Sequence, residues 1–282
     1  MKIRIVVDST ADVPSEIKKQ LTIVPLNVSF GEDLYIDGVT IQHEEFYKKL
    51  AESDVLPKTS QPSPDAFAQV YEAAKQAGET LVVLTVSSGI SGTYQSAMIA
   101  AQGYPDNVYV VDTLHVANAF GILAEYALEL VEKGFGAQEI VDEITRVRDD
   151  VELFALVDTL EYLQKGGRIS KTVAFAGSLL SLKPLVSMKD GVLGMKGKAR
   201  GAKQGSSLMM KEILEAGGVD FDKPYLLGYT GLSDELLQRF IADSASIWEQ
   251  GSKPVRYVPL CSVVGTHAGP GAVVAAFFRK KK

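Results

Sequence analysis

The sequence predicts an α/β protein in which a mostly parallel sheet covered by helices is followed by an α+β domain. Up to about residue 150, short apolar segments rich in β-branched residues alternate with segments of helical spacing, which is typical of a parallel sheet. Further on, Pro184–Met188 and Val192–Met195 flank Lys189-Asp190-Gly191, a strong hairpin signal that introduces antiparallel strands. We therefore divide the chain into an N-terminal α/β domain, 1–155, and a C-terminal α+β domain, 156–282.

The composition of the chain is that of a globular protein with a large core. Of the 282 residues, 46% are hydrophobic and 23% are charged, and the formal net charge of −6 argues against nucleic acid as a partner. The single cysteine, Cys261, excludes an intramolecular disulfide and a cysteine-based zinc site. The N-terminus has no secretory segment and no apolar run reaches the ~20 residues of a membrane span, so we expect a cytoplasmic protein with at most transient membrane contact.

The first elements are short. Ile3–Val7 is an apolar strand, and Pro14 stands at an early position of a short helix. Ile23–Phe30 alternates enough to be a second strand. The turn residues Gly31-Glu32-Asp33 then return the chain as a small hairpin strand at Leu34–Ile36.

A helix over His43–Leu50 precedes a proline-rich loop. We expect its first residue on the surface and not as a ligand. Val55–Pro64 contains three prolines in ten residues, which exclude regular structure and hold Thr59 and Ser60 in place. The loop is either a plain linker or one wall of a ligand site with its hydroxyl groups turned inward. A helix over Asp65–Gln76 follows.

The stretch from Leu81 to Ala97 joins a buried strand to a helix through a turn of glycines and hydroxyl residues. Leu81–Val86 is the strand, and helical spacing begins at Thr93. Free amide groups at a helix start favour an anion, and glycines let the backbone approach a ligand. This turn is therefore either an anion site or an ordinary strand-to-helix turn with a serine cap. Its candidate ligand-binding residues are Ser87, Ser88, Gly89, Ser91, Gly92 and Thr93.

The remaining elements rest on the same signals. The strands are Asn107–Val111, Leu153–Val157, Tyr225–Tyr229 and Val255–Leu260, and the helices are Val116–Val131, Ala137–Arg148, Ser206–Glu215 and Asp234–Ala245. Gly166-Gly167 ends a helix and holds Arg168 on a tight turn, where we expect it to be exposed. An apolar segment rich in small residues follows over Phe175–Leu182, and Ser170 is suited to cap a helix there.

Near the C-terminus, Val264–Ala272 surrounds one histidine with three glycines and a proline. In such a loop the backbone can approach a ligand, and the imidazole of His267 can donate a hydrogen bond to an anion. The alternative is an ordinary structural role in a turn.

Five stretches, taken in order, resemble the DegV family from end to end. The resemblance implies a two-domain protein with a three-layer N-terminal α/β domain and a buried tunnel between the domains that holds one long-chain fatty acid. It implies a lipid-binding subunit without activity of its own, which presents the fatty acid to a separate ATP-dependent fatty acid kinase subunit. The acyl-phosphate product would serve phospholipid synthesis. The stretches are Val7–Asp12, Thr59–Ser63, Ser87–Ala97, Leu163–Ser170 and Gly265–Ala272.

The resemblance also assigns roles to individual residues. Thr59, Ser91 and His267 match the positions that hold the carboxylate, with Gly92 and Thr93 beside the serine. The bound fatty acid is the only ligand implied, without a further cofactor or a metal.

The resemblance also covers two arginines, and the chain departs from the family pattern at one place. Arg168 matches a surface arginine linked to kinase docking or phosphoryl transfer, and Arg200 lies where a second such arginine is expected. The family pattern has Asp-Ser and small residues after the strand that ends at Val111, whereas this chain has Asp112-Thr113-Leu114-His115. We expect Leu114 and His115 to reshape the head-group end of the pocket.

Two other functions use the same residues. Ser91 with His267 and either Asp8 or Asp112 resembles the triad of a serine hydrolase, but the Gly-x-Ser-x-Gly motif is absent. A phosphate- or nucleotide-binding regulator would use the glycine-serine turn, but that turn carries no lysine and no Walker motif.

Overall fold

The computed structural model describes residues 2–170 and 182–281. The strands are β1 (Lys2–Asp8), β2 (Thr22–Val24), β3 (Asn27–Phe30), β4 (Asp33–Ile36), β5 (Lys58–Ser60), β6 (Glu79–Thr85), β7 (Val108–Asp112), β8 (Val151–Leu156), β9 (Leu182–Lys189), β10 (Val192–Arg200), β11 (Tyr225–Tyr229), β12 (Tyr257–Pro259) and β13 (Val273–Phe278). The helices are α1 (Ser15–Lys18), α2 (His43–Glu52), α3 (Pro64–Gln76), α4 (Thr93–Ala101), α5 (Ala117–Glu132), α6 (Ala137–Val147), α7 (Glu161–Lys165), α8 (Gly201–Glu215), α9 (Glu235–Asp243), α10 (Ala245–Trp248) and α11 (Ser262–Ala268). The helix predicted after Ser170 and nearly all of the apolar segment 175–182 lie outside the described residues.

The first sheet is parallel and covered by helices on both faces, as the sequence predicts. Its order is β2-β1-β6-β7. Alternate strand residues point to opposite faces, so Val6 and Val83 pack with α3 and α4, whereas Val7 and Leu84 pack in the core that contains α5 and α6. All of β6 is buried, which explains the apolar run Leu81–Leu84 at its centre.

The second sheet is mixed and has the order β10-β9-β8-β13-β11-β12. Its pairs are antiparallel except β11 with β12. The predicted hairpin at Lys189-Asp190-Gly191 is confirmed, and both Asp190 and Gly191 have positive φ as a tight hairpin turn requires. The helices α8 and α9 pack on one face of this sheet, and α5 packs on the other. Helix α5 therefore contributes to the cores beside both large sheets.

A third, small sheet corrects two predictions about the N-terminal half. The predicted strand Ile23–Phe30 is divided at Pro25 into β2, in the first sheet, and β3, in the small sheet β4-β3-β5. Proline has no amide hydrogen, so a strand is easily interrupted there. The prolines of Val55–Pro64 predict a loop without regular structure, but β5 pairs with β3 inside it. The prediction failed because Pro57 and Pro62 flank β5 without entering it.

The C-terminal elements also differ from the prediction. The histidine loop over Val264–Ala272 begins as helix α11, and the chain then returns as β13 in the middle of the second sheet. The division of the chain at residue 155 stays a prediction, and β8 extends across this position. Among residues 2–170 and 182–281, no helix is long and apolar enough to span a bilayer.

Candidate functional site

An apolar cavity lies between the two large sheets and helix α11. The cavity is lined by side chains from the segments that follow β1 and β6, from the strands β8, β9 and β13, and from α11. They include Val86, Ile90, Leu153, Val186, Val264 and Val274. The space between the lining atoms is about 730 Å³, including its open part. Because nearly all of the lining is apolar, the cavity favours a ligand of mostly apolar character. The polar lining residues are Thr10, Thr59, Ser91, Arg168 and His267.

Thr59 and His267 form the central polar contact of this cavity. Strand β5 holds Thr59, and helix α11 holds His267, so that the Thr59 hydroxyl lies 2.8 Å from Nε2 of the imidazole. The other ring nitrogen, Nδ1, is buried without a hydrogen-bond partner among the described residues. It faces Gly166, where a Cβ atom would overlap it. The structure therefore brings Thr59 and His267 together at one cavity, and their role in holding a carboxylate stays a prediction.

Burial keeps His267 neutral. Desolvation lowers the pKa of His267 to about 4, and the nearby positive charge of Arg168 acts in the same direction. At pH 7 the imidazole therefore offers one neutral N–H group and one lone pair.

Ser91, Gly92 and Thr93 form the turn that begins α4. The Ser91 side chain lines the cavity, and its Oγ lies 2.9 Å from Oγ1 of Thr93 and accepts the Thr93 amide. Thr93 is buried and supports Ser91, but it is not among the lining residues. Gly92 is packed against the Gln61 side chain, which a Cβ atom would overlap. Of these three residues, only Ser91 is placed to touch a ligand in the cavity.

Arg168 is half-buried, and the expectation that it is exposed was wrong. The turn after α7 places its side chain along the cavity, where the guanidinium donates to the carbonyl oxygens of Ile90 and Gly166 at 3.2 and 2.6 Å. These two bonds hold the arginine next to the Thr59–His267 pair. Arg200, in contrast, is an exposed residue at the end of β10 and does not line the cavity.

The remainder of the glycine-serine turn has a structural task. The Ser87 hydroxyl donates to the carbonyl of Gly191 at 2.6 Å, and Gly89 is packed against the same peptide group. The turn therefore anchors the tip of the β9–β10 hairpin to the first sheet. Leu114 also contacts Gly191, and His115 donates from Nε2 to the carbonyl of Arg148. Neither Leu114 nor His115 lines the cavity.

The hydrogen bonds do not form a hydrolase triad. Ser91 bonds to Thr93, and His267 bonds to Thr59. Asp8 accepts from Thr10 and from the amide of Val86, and Asp112 accepts from backbone amides. None of the described bonds joins Ser91 to His267 or His267 to a carboxylate, so the geometry gives no support to a serine nucleophile activated by histidine.

Two buried aspartates that sequence reasoning did not assign to the site support helix α11. Asp12 accepts the amide of Cys261 at 2.8 Å, and Asp37 accepts the amide of Ser262 at 3.1 Å, so both stabilise the start of the helix that carries His267. Burial raises the pKa of Asp12 and of Asp37. No local sequence signal marks Asp12 or Asp37 for this role, because both act on a distant segment.

Comparison with known proteins identifies the family. The sequence model described as "Uncharacterised protein, DegV family" matches residues 2–280. A DegV domain-containing protein of Caldanaerobacter subterraneus is 34% identical, over 99% of each chain. A DegV family protein from Thermus thermophilus, described as fatty acid binding, has a TM-score of 0.87 at 32% identity and covers 99% of this chain and 100% of its own.

A stearic acid-binding protein from Eubacterium ventriosum has a TM-score of 0.85 at 28% identity, over 99% of each chain. Its similarity extends over both large sheets, as does that of the Thermus thermophilus protein. Family match, sequence relatives and fold thus agree over the whole length, and this chain belongs to the DegV family.

Proposed function

We propose that this protein binds one long-chain fatty acid, with the acyl chain in the apolar cavity and the carboxylate at Thr59, Ser91 and His267. The observation that carries the proposal is the Thr59–His267 contact, a hydrogen-bonding pair in a cavity whose other walls are almost entirely apolar. The fatty acid binding of structurally similar family members supports the same ligand class.

The hydrophobic effect favours this ligand strongly. A sixteen-carbon chain buries about fifteen methylene-type groups at ~0.8 kcal/mol each, or about 12 kcal/mol of gross transfer free energy. Association and ordering of the chain offset several kcal/mol of this gain. The net value still leaves tight binding, provided that the carboxylate does not lose its hydrogen bonds on burial.

The head-group residues can supply those hydrogen bonds. When Nε2 of His267 carries the proton, it donates to the Thr59 oxygen, and the Thr59 hydroxyl proton is free for a carboxylate oxygen. The Ser91 hydroxyl can donate to the second oxygen, since its contact with Thr93 can also be made with Thr93 as donor. Arg168, held close by, adds a positive charge at the same end.

The bound fatty acid is presented to a separate ATP-dependent kinase subunit, and this chain has no activity of its own. In the transfer, a carboxylate oxygen attacks the γ-phosphorus of ATP and a new P–O bond forms. The bond between that phosphorus and the oxygen that bridges to the β-phosphate breaks, and ADP leaves with the electron pair. The acyl phosphate then serves phospholipid synthesis. Arg168 acts at the head group, and Arg200 belongs to the surface that contacts the kinase.

Mass spectrometry of the purified protein tests the ligand class. The native mass should exceed the chain mass by one fatty acid, and lipid extraction should release that acid and identify its length and unsaturation. A protein that is empty and also takes up no added fatty acid would overturn the proposal. Ester hydrolysis or saturable ATP binding would then be measured instead.

A reconstituted reaction tests presentation. With a fatty acid kinase subunit and ATP, wild-type protein loaded with palmitate should yield palmitoyl phosphate, and Arg168→Ala should keep the lipid while forming much less product. Arg200→Ala should raise the protein concentration needed for half-maximal rate. Product formation at the wild-type rate by Arg168→Ala would contradict the role of this arginine.

A further inference from the structure

A second pocket adjoins the head-group end of the cavity from the outside. We call it the vestibule and define it by Lys58, Tyr162, Lys165 and Arg168 together with Thr59 and His267. The space between its lining atoms is about 730 Å³, including its open side. Thr59, Arg168 and His267 line both the vestibule and the apolar cavity. These three residues are therefore a shared wall between an apolar interior and a polar exterior.

The vestibule has an unbalanced positive charge. Its described lining includes three cationic side chains and no carboxylate. Lys58 is exposed and has no acidic partner among the described residues. Lys165 pairs with Glu161, but both side chains are more than half exposed, so water screens that pair and leaves the lysine available.

Two other surface pockets differ in this respect. The pocket beside α8 and α9 includes Asp243 among its lysines and arginine, and the groove at the start of α1 includes Asp12, Glu16 and Asp37. Of these three pockets, the vestibule is thus the one whose described lining has cationic side chains and no carboxylate.

The shared wall determines on which side the phosphoryl group of a bound acyl phosphate would lie. A carboxylate held by Thr59 and His267 has the apolar cavity on one side and the vestibule on the other. A phosphoryl group attached to that carboxylate adds negative charge, and burying it among the valines and leucines of the cavity would be very costly. In the vestibule, by contrast, the phosphoryl group stays in contact with water and close to cationic side chains.

We propose that the vestibule binds the phosphoryl group of the acyl phosphate, with Lys58 and Lys165 holding its oxygens beside Arg168. This inference rests on the proposed function, since it takes the same acyl chain in the same cavity. It adds a phosphate site that this chain carries itself, so that the product has more contacts than the fatty acid from which it is made. The protein then discriminates the two ligands by their head groups.

Two probes with the same alkyl chain test the phosphate site without a kinase. Palmitate reports the carboxylate site, and hexadecyl phosphate, a stable monoalkyl phosphate, places a charged phosphate at the same end. Calorimetric titration of both probes at pH 8 should show that the Lys58→Ala/Lys165→Ala double variant binds hexadecyl phosphate about tenfold or more weakly than wild type, because it loses two charge-assisted contacts. Its palmitate affinity should stay within about twofold of wild type, since neither lysine lines the cavity.

Lys48→Ala is a matched control. Lys48 pairs with Glu44 across one helical turn, as Lys165 does with Glu161, with similar exposure, but it does not line the vestibule. The Lys48→Ala variant should leave the affinities for palmitate and hexadecyl phosphate unchanged. The double variant Lys58→Arg/Lys165→Arg keeps both positive charges and should bind hexadecyl phosphate like wild type.

Each outcome separates the two proposals. Wild-type affinity of the double alanine variant for hexadecyl phosphate would overturn the phosphate site and leave fatty acid binding intact. An equal loss of affinity for palmitate and for hexadecyl phosphate would also overturn the phosphate site, because the lysines would then support the carboxylate or the fold. Failure of wild type to bind palmitate would instead overturn the proposed function on which the inference rests.

Discussion

The Thr59 hydroxyl and Nε2 of His267 are 2.8 Å apart in space and 208 residues apart in sequence. Because burial lowers the pKa of His267 to about 4, this contact joins a neutral imidazole to a hydroxyl group. The pair can therefore reorganise its two protons when a carboxylate arrives, without first discharging a buried cation.

Removal of the Thr59 hydroxyl should weaken binding. Thr59→Val keeps the shape of the side chain but leaves the carboxylate and the His267 nitrogen with one partner fewer, which should cost about 1.5–3 kcal/mol of palmitate binding free energy. Thr59→Ser keeps the hydroxyl and should bind close to wild type. Calorimetric titration with palmitate measures the affinity of both variants. Equal palmitate affinities of Thr59→Val and Thr59→Ser would mean that Thr59 does not touch the ligand.

Substitutions at two adjacent glycines distinguish the effect of moving His267 from the effect of straining the turn. A Cβ atom at Gly166 would overlap Nδ1 of His267, so Gly166→Ala should displace the imidazole and weaken palmitate binding. Gly167 has a φ of +73° and open space around it, so Gly167→Ala should cost about 1 kcal/mol of unfolding free energy with little change in affinity. Titration with palmitate and urea unfolding of both variants check this, and the reverse order of the two affinities would contradict it.

Ligand binding should be coupled to proton uptake. A carboxylate next to His267 favours the charged imidazole, so the pKa of His267 should rise from about 4 when palmitate binds. At pH 6, the apparent binding enthalpy should depend on the ionisation enthalpy of the buffer, with protons taken up in wild type and fewer in His267→Gln. No difference between wild type and variant would show that the imidazole stays neutral in the complex.

Acid should destabilise the protein through His115. Burial lowers the pKa of His115 from 6.5 to about 4, so between these two pH values the unfolded chain binds the proton that the folded chain excludes. Above pH 6.5, His115 is neutral in both the folded and the unfolded chain, so its titration costs no stability. The free energy of unfolding falls as the pH drops from 6.5 towards 4. The total loss should be about 3 kcal/mol, because each tenfold change in proton affinity corresponds to about 1.4 kcal/mol.

His115→Gln isolates this effect. Glutamine can still donate to the carbonyl of Arg148 but does not titrate. Comparison with wild type also removes the opposite contribution of Asp8, whose pKa burial raises to about 6. Urea unfolding at several pH values should show wild type losing stability faster than the variant below pH 6.5, and parallel curves would contradict the prediction.

Most strands and helices could be predicted because their causes are local. The apolar run of β6, the turn residues of the β9–β10 hairpin and the glycines after α7 each act on their own neighbours in the chain. The split at Pro25 is also a local effect, but the alternation on both sides of the proline conceals it. Placement of β2 and β3 in different sheets then depends on distant partners.

Helix α11 could not be predicted for a different reason. It contains Gly265, valines and a threonine, all weak helix formers, and its start is stabilised by Asp12 and Asp37 from the other end of the chain. Gly265 is required because the hydroxyl end of Tyr47 and the ring of Phe46 occupy the space that a Cβ atom would fill. The same dependence on distant contacts hides the half-buried position of Arg168, whose carbonyl partner on Ile90 lies 78 residues away.

The head-group site thus takes one wall from a strand near the start of the chain and another from a helix near its end. During synthesis, the N-terminal part emerges first and can begin to fold. His267 follows Thr59 by 208 residues, and strand β13 comes after His267. The apolar side chains of the first sheet are therefore synthesised before the residues that cover them. A chain synthesised only as far as the first sheet therefore lacks His267 and the wall that β13 provides, so its cavity is incomplete.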